Sequence, residues 1–513
     1  MASFENQMQR DICQDTVFCE SVEDFILPDY MPEIARVLRI STQLIPERCY
    51  LGGDATEFSG RLSYRLLYAD SEGKVTEAPL EGRYRYRIPH GDAAVHTAYT
   101  SEKIDSTGAR PTAPRKLNIR TRIAAHPHLL YTEGVGAPIL SLVGEADSET
   151  LYKEHSVLDR QAIFSDPIPC AAEITVEGCL SDNLQIISCE AAFLPDGVLA
   201  HDGYVSVQGK MLCTLLMQKE GGQPHLRECI ISFNEDITAE GCNEGDAITM
   251  EAFCTPPAVT MENAGDDTLL RLDGECSLSM VLYRHRSLSL LTDFYVLGAK
   301  HNIRRKEANL AQLVGTYTGN VTARADIPLP EGFSTNDTTA VPYFTVKNST
   351  AALTADRVLV EGSLTLSLLA FGCDNTDKTE LSLPFRAELP VGATCSPSDT
   401  LFYTVTPVGG SAIWNGGSAR VSTELYLTAC VTRNEIVSLP TEATKTADIS
   451  TQDDLQIKLY YPTEKDSLWS VGKRYALPIT KLQKQNGIPE EEDTALDDRS
   501  SLDGYAYLIV DGL

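Results

Sequence analysis

The sequence predicts a mainly β protein: three tandem antiparallel β modules of the sandwich or barrel type, each with two related halves, and a small β-α-α-β module at the C-terminus. Three observations support this prediction. Apolar and polar residues alternate in many segments, one strand-like pattern recurs at nearly constant spacing, and the pattern changes after residue 446. The length of 513 residues also favours several domains over a single core.

The repeated pattern is a run of alternating apolar residues with glycine or threonine at one fixed position. The residues at this position are Gly60, Thr121, Gly209, Gly274, Gly362 and Thr423. The steps within successive pairs are 61, 65 and 61 residues, and the steps between equivalent members are 149, 153, 153 and 149 residues. A register this constant predicts three repeats of about 150 residues, each with two related halves.

The predicted module boundaries follow from the repeat. The β modules are expected at residues 1–145, 146–296 and 297–446, and the small module at 447–513. Turn-forming residues follow the marked strands, which favours hairpins over a parallel sheet with crossover helices. Glycine inside such a strand indicates a bulge or a close approach of two backbones. Residues 27–38 instead predict a short helix with Pro32 in its first turn.

Charge and cysteine usage restrict the class of protein. The net charge of −29 opposes binding to nucleic acid, because such binding depends on Lys and Arg that neutralise phosphates. The 14 cysteines form no CxxC pair and are expected to be buried, reduced thiols, as at Cys213 and Cys276. Neither a secretory signal nor a long apolar run is visible, so we expect a cytoplasmic protein without direct membrane insertion.

Motifs of catalysis are missing from the sequence. There is no HExxH, GxSxG, phosphate-binding loop or helix-opening GxGxxG. The pair His126 and His128 lacks neighbouring Cys or carboxylate ligands for a metal. We therefore expect no enzyme, no cofactor and no metal site. A carbohydrate-active enzyme with paired carboxylates stays open as a third class of function, because carboxylates are abundant.

The C-terminal segment changes from strand patterns to short helical ones. Its predicted elements are a strand at 456–461, a helix capped by Asp466 and running to Tyr475, a helix from Pro478 to Asn486 with Gly487 after it, and a strand at 505–510. Trp469 is expected to pack in a small core, with a partner surface as the alternative. Trp414 is expected at the end of a sheet, beside a turn.

Residues 465–475, with the sequence KDSLWSVGKRY, resemble the opening of a LysM domain, and residues 507–509 resemble its closing strand. This resemblance implies a shallow groove between the first strand–helix loop and the second helix–strand loop, which usually binds N-acetylglucosamine polymers. An acidic insertion at residues 490–498 departs from the family and favours a protein partner. The predicted partner-binding residues are Asp466, Ser467, Leu468, Trp469, Lys473, Arg474, Tyr475, Asn486, Gly487 and Ile488.

Residues 25–38, with the sequence FILPDYMPEIARVL, together with the strand around Gly60 resemble a SPOCS (spore coat structure) domain. The second and third modules match mainly by their repeat spacing. Tandem SPOCS domains with a terminal LysM domain are similar to the SipL-like family of spore morphogenetic proteins. That resemblance implies a location in the mother-cell cytoplasm and binding, through the LysM domain, of the spore coat morphogenetic ATPase that polymerises on the forespore membrane.

The expected function is that of a non-enzymatic scaffold or adaptor in endospore coat assembly. In this hypothesis the β modules provide repeated surfaces, and the LysM-like module holds the ATPase. The alternative is a protein of the cell wall or spore cortex that binds peptidoglycan or N-acetylglucosamine oligomers through the same groove.

Overall fold

The structure is a computed structural model. It describes residues 7–13, 15–47, 49–135, 147–333, 335–336, 338–372, 376–392, 395–448, 458–463, 466–489, 502 and 504–510. The protein is mainly β, and the strand pairs within the described residues are antiparallel, which confirms this part of the prediction. The strands fall into three successive stretches, which together are called the β body below.

The first stretch contains eight strands in two sheets. Their bounds are β1 Gln7–Cys13, β2 Val17–Ile26, β3 Arg36–Pro46, β4 Tyr50–Leu51, β5 Ala55–Ala69, β6 Val75–Pro89, β7 Val95–Ala113 and β8 Lys116–Gly134. Strand β5 pairs with β3, β4 and β6, while β8 pairs with β1, β2 and β7. Each sheet is therefore organised around one long strand.

The second stretch has the same arrangement. Its strands are β9 Ser148–Phe164, β10 Ile168–Val176, β11 Leu184–His201, β12 Tyr204–Lys219, β13 His225–Thr238, β14 Ala247–Cys254, β15 Ala258–Ala264 and β16 Asp267–Val296. Strand β12 lies between β11 and β13, and β16 pairs with β9, β10, β14 and β15.

In the third stretch, fewer but longer strands form the two sheets. They are β17 Ala299–Pro328, β18 Thr339–Leu353, β19 Arg357–Phe371, β20 Thr376–Pro390, β21 Thr400–Asn415 and β22 Ser418–Asp448. Strand β19 lies between β18 and β20, and β22 lies between β17 and β21. The six marked residues of the sequence repeat thus lie in β5, β8, β12, β16, β19 and β22, the strands around which the six sheets are organised.

Each stretch has a hydrophobic core between its two sheets. In the second stretch, Cys213 and Leu215 of β12 share one buried cluster with Leu272 and Cys276 of β16. The first and third stretches have equivalent clusters, in which β5 packs with β8 and β19 packs with β22. The alternating apolar face of each central strand therefore forms one wall of a core.

Close packing explains the glycine in the repeated strand pattern. The residues directly opposite Gly60, Gly209 and Gly362 are the aromatic residues Tyr84, Phe233 and Phe385. A Cβ atom at Gly60 would lie 2.5 Å from the Tyr84 ring, and one at Gly209 would lie 2.7 Å from the carbonyl oxygen of Leu194. The predicted close approach of two backbones is confirmed at Gly209 and at Gly362, where a Cβ atom would also collide with a backbone carbonyl oxygen, that of Asn348. At Gly60 the space is instead filled by an aromatic ring.

The three stretches meet at equivalent positions. Leu67, Leu216 and Leu369, each seven residues after a marked glycine, belong to one buried cluster. A second cluster joins Val281 and Cys430, each seven residues after a marked residue in the later halves. These contacts bring matching parts of all three stretches together around a shared centre.

At the second meeting point, aromatic and charged side chains pack together. His128 stacks on Tyr99 at 4.7 Å between ring centroids and meets the edge of Phe402 at 5.2 Å. Its Nδ1 lies 2.8 Å from Asp11 Oδ2, and Arg160 also binds Asp11. Burial alone would raise the pKa of Asp11, but the hydrogen bonds and charges of these two partners outweigh it and lower the pKa. A cavity of about 220 Å³ lies beside this network.

The short helix predicted at residues 27–38 is wrong. The structure describes all of these residues, and they form a turn followed by the start of β3. The N–H groups of Leu27 and Ile34 donate to the carbonyl oxygens of residues 115 and 114, at 2.9 and 2.7 Å. These hydrogen bonds, and the start of β3 at Arg36, leave too few residues after Pro32 for a helix.

The C-terminal unit, made of the described residues between 458 and 510, has short elements. They are strand β23 Leu459–Tyr460, helix α1 Leu468–Tyr475, helix α2 Ile479–Asn486 and strand β24 Leu508–Ile509, with β23 paired to β24. Within the described part of the chain, no helix has the length and apolar character needed to cross a membrane.

Candidate functional site

Asp466 binds Tyr460 and Thr463 and does not cap helix α1 as predicted. The N-cap is Ser467, whose Oγ accepts a hydrogen bond from the N–H of Ser470 at 3.1 Å. Asp466 Oδ2 instead accepts from Thr463 N–H at 2.9 Å and from the Tyr460 hydroxyl at 2.7 Å. These hydrogen bonds lower the pKa of Asp466. Both residues suit a helix cap, and the backbone places Ser467 at the capping position.

Asn486 joins the end of helix α2 to the closing strand. Its amide donates to Ile509 O at 3.0 Å, and its side-chain oxygen accepts from Ile509 N–H at 2.6 Å. Gly487 follows in the left-handed conformation with φ of 65°, which terminates the helix. Asn486 and Gly487 thus shape the unit and hold α2 against β24.

One face of helix α1 lies on the β body. Trp469 Nε1 donates to Asp293 Oδ2 at 2.9 Å, and Lys473 Nζ lies 2.6 Å from both oxygens of the same carboxylate. Arg305 Nη2 donates to Asp293 Oδ1 at 2.7 Å. Residues 469 and 473 are one helical turn apart, so they point to the same side. Asp293 therefore serves as the anchor of this face.

Tyr295 lies beside this anchor and completes the contact. Its ring meets the edge of Trp469 at 5.0 Å between centroids, and its hydroxyl donates to Leu477 O at 2.8 Å. Burial raises the pKa of Tyr295, which keeps the hydroxyl neutral as a donor. Gly472 leaves space for this hydroxyl, because a Cβ atom there would lie 2.6 Å from it. Tyr295 and Leu151 of the β body belong to the same buried cluster as the core of the unit.

The two short strands of the unit carry exposed aromatic residues at their ends. Tyr461 and Tyr507 are 66% and 50% exposed, their ring centroids are 6.5 Å apart, and Leu459 beside them is 46% exposed. Arg474 Nη1 donates to the Tyr460 hydroxyl at 2.6 Å, and Tyr475 meets the edge of the Tyr460 ring. The exposed set Leu459, Tyr461 and Tyr507 is called the aromatic face below.

The ten predicted partner-binding residues, all within the described ranges, differ in their exposure and contacts. Ser467, Leu468 and Trp469 are buried, and Lys473 is held by Asp293. Asp466, Asn486 and Ile488 are used in contacts within the unit. Arg474 and Gly487 are exposed, and Tyr475 is half-buried. The acidic insertion at residues 490–498 lies outside the described residues.

The aromatic face was missed by the sequence analysis. A signal for it exists in the alternation of residues 458–461, where Lys458 and Tyr460 alternate with Leu459 and Tyr461 in a strand. That alternation does not say which side of a two-stranded sheet is covered. The covered side depends on the helices that follow, so exposure of Tyr461 needed the folded unit.

Other candidate chemistry is limited in the described residues. His128 is buried against Asp11, and His126 lies 3.4 Å from the Thr16 hydroxyl, with its pKa lowered by burial. Over the described ranges, no group of three or more His, Cys, Asp or Glu side chains is arranged to hold a metal. Trp414 donates to Thr338 O at 3.0 Å and lies next to the turn after β21.

Comparisons of the chain with protein-family models, with curated proteins and with solved structures find no match.

Proposed function

We propose that this protein is a non-enzymatic scaffold or adaptor in endospore coat assembly. In this proposal three SPOCS-like modules at residues 1–145, 146–296 and 297–446 support a LysM-like module at 447–513. The LysM-like module binds a spore coat morphogenetic ATPase in the mother-cell cytoplasm. The proposal is supported by the resemblance of residues 25–38 and 465–475 to these two families.

The aromatic face is the observation that carries the partner-binding role. Tyr461, Tyr507 and Leu459 stay exposed on a unit that also contacts the β body through helix α1. Tyrosine is enriched among the residues that contribute most binding energy at protein interfaces. The aromatic face is therefore available to bind a partner while helix α1 contacts the body.

The test is capture of the purified coat ATPase by the full chain. The double variant Tyr461→Ala with Tyr507→Ala should weaken capture by about tenfold or more, because each is expected to contribute as an interface anchor. The matched control is Tyr30→Ala with Tyr50→Ala, which removes two tyrosines that are 84% and 72% exposed on the β body. Equal capture by wild type and both double variants would contradict the proposed site, and no capture by wild type would contradict the proposed partner.

Peptidoglycan binding is the second candidate, and the same aromatic pair favours it. Tyrosine side chains offer both an apolar ring and a polar hydroxyl, which suits a sugar with apolar faces and hydroxyl edges. Sedimentation of the full chain with purified peptidoglycan separates the two candidates. Pelleting that N-acetylglucosamine oligomers compete away, and that the Tyr461 and Tyr507 double variant loses, would favour the glycan.

A further inference from the structure

The face of helix α1 that touches the β body has the composition of a binding surface. It combines a tryptophan, a lysine and a glycine, Trp469, Lys473 and Gly472, on one side of a short helix. Tryptophan is enriched among residues that dominate interface energetics. In this structure Asp293 binds the tryptophan and the lysine, and the Tyr295 hydroxyl lies against the glycine.

The contact that covers this face is rich in polar groups. The Asp293 carboxylate receives the indole N–H, the Lys473 ammonium and the Arg305 guanidinium, while Glu149 accepts from the N–H of Ile479 at 3.2 Å. The side chains of Lys473 and Arg305 are 36% and 35% exposed, so water reaches the ionic part of the contact. The contact also has an apolar part, because Tyr295 and Leu151 share a buried cluster with Trp469. Its ionic part lies at the edge, where water can replace the hydrogen bonds that release would break.

The contact is also specific to the second stretch. Asp293 and Tyr295 are two residues apart in β16, so both side chains point to the same face of the strand. At the repeat distance of 149 residues the third stretch has Glu442 and Thr444. Glu442 binds Arg304 at 3.1 Å on the surface, and no aromatic residue accompanies it. The aspartate and tyrosine pair is therefore missing from the equivalent strand of the third stretch, and in the second stretch it lies where the C-terminal unit docks.

We propose that the contact of Asp293 with Trp469 and Lys473 is a reversible latch that hides one face of the C-terminal unit. Released, this face exposes an N–H donor and a cation on either side of Gly472. A partner that replaces the latch must supply an acceptor and a negative charge, as an acidic segment in extended conformation does. The existence of the latch does not depend on the proposed function, whereas its effect on capture of the coat ATPase does.

The latch is tested in the full chain with Trp414→Phe, which leaves Trp469 as the single tryptophan. Urea titration is followed by Trp469 fluorescence and, separately, by the circular dichroism of the β body. We expect the Trp469 transition to precede that of the body. Asp293→Asn should move the Trp469 transition to lower urea concentration. The docking equilibrium should weaken about tenfold, because the charge-assisted hydrogen bonds are lost. Gly472→Ala, which places a methyl group against the Tyr295 hydroxyl, should act in the same direction.

The matched control is Asp326→Asn, the same chemical change in an exposed ion pair with Arg420 at 3.0 Å. It should leave the Trp469 transition in place. Hydrogen exchange of the amides of α2 separates release from unfolding, because a released but folded unit keeps them protected. Coincident transitions of Trp469 and the body, an unmoved transition in Asp293→Asn, or loss of α2 protection on release would each overturn the latch.

Capture of the purified coat ATPase tests whether the hidden face contributes to partner binding. Asp293→Asn should capture more ATPase than wild type, by up to about tenfold, if the hidden face contributes to binding. Unchanged capture, with a shifted Trp469 transition, would overturn the role of the hidden face. If neither chain captures the ATPase, the proposed partner is wrong, and the urea titration still decides whether the latch exists.

Discussion

The β body and the C-terminal unit build their cores in different ways. In the body, each core lies between two sheets of the same stretch, and the apolar faces of central strands such as β12 and β16 supply most of it. The C-terminal unit has two helices of eight residues and two strands of two residues, and its buried cluster includes Tyr295 and Leu151 of the body. Small units bury little surface by themselves. The body therefore stabilises itself, while the unit gains stability from where it docks.

The largest expected effect is on a body core. Leu366 of β19 is fully buried, and Leu366→Ala should lower the free energy of unfolding by about 2–5 kcal/mol, because it loses buried methyl groups and leaves a cavity. Chemical denaturation followed by circular dichroism measures the change. Leu199→Ala, at a leucine that is 62% exposed, is the control and should change stability by less than about 0.5 kcal/mol. Similar effects of both variants would contradict a core between the two sheets.

A smaller effect is expected from filling the space at a marked glycine. Gly209→Ala should destabilise the body by about 1–3 kcal/mol, because the new Cβ would lie 2.6 Å from the Phe193 ring. Gly108→Ala is the control, since no atom lies within 4 Å of the corresponding Cβ and the change removes a flexible glycine from a strand. A neutral Gly209→Ala would show that the repeat does not need glycine for space.

The pH dependence of stability tests the contact between the first two stretches. Burial, with the charge of Glu190, raises the pKa of Glu77 to about 8, although Arg65 lies 3.7 Å away. The folded protein therefore holds this proton more tightly than the unfolded chain, whose pKa is 4.5. The stabilisation from this group is complete below pH 4.5 and is lost as the pH rises to about 8.

Glu77→Gln should remove this dependence. Relative to wild type, the variant should gain about 3 kcal/mol of stability between pH 5 and pH 8, because glutamine has no proton to lose and one pKa unit corresponds to about 1.4 kcal/mol. Denaturation midpoints at several pH values provide the measurement, and Glu380→Gln, at a side chain that is 60% exposed, is the control. A constant difference between Glu77→Gln and wild type across this range would contradict a raised pKa.

Sequence analysis predicted the body better than the unit, for a physical reason. Alternation reports which side of a strand is buried, so central strands such as β5 and β19 were visible from their own residues. The constant spacing of the marked residues then located the pattern in all three stretches. The helix predicted at 27–38 failed because distant carbonyls at residues 114 and 115 compete for its backbone donors.

The docking of the C-terminal unit was not visible in the sequence. Trp469 and its acceptor Asp293 are 176 residues apart, and residues 293–295 look like any other part of an alternating strand. The resemblance to LysM domains implied a shallow groove and partner-binding residues between 466 and 488, while long-range packing covers some of these residues. The aromatic face escaped prediction for the same reason, since the covered side of β23 is decided by α1 and α2.

The smallest expected effect distinguishes the two kinds of core most sharply. Tyr295→Phe keeps the ring against Trp469 and removes only the hydroxyl that donates to Leu477 O. Docking of the C-terminal unit should weaken by about 1 kcal/mol, the usual net contribution of one hydrogen bond. The Trp469 fluorescence transition in a Trp414→Phe chain should therefore move to lower urea concentration, while the body transition stays.

Tyr403→Phe, which removes a similar hydroxyl bonded to Ser349 O at 2.9 Å in the third stretch, should leave the Trp469 transition unchanged. If Tyr295→Phe instead lowered the urea midpoints of both the Trp469 transition and the body transition, the unit and the body would unfold as one cooperative core. The difference between them would then disappear.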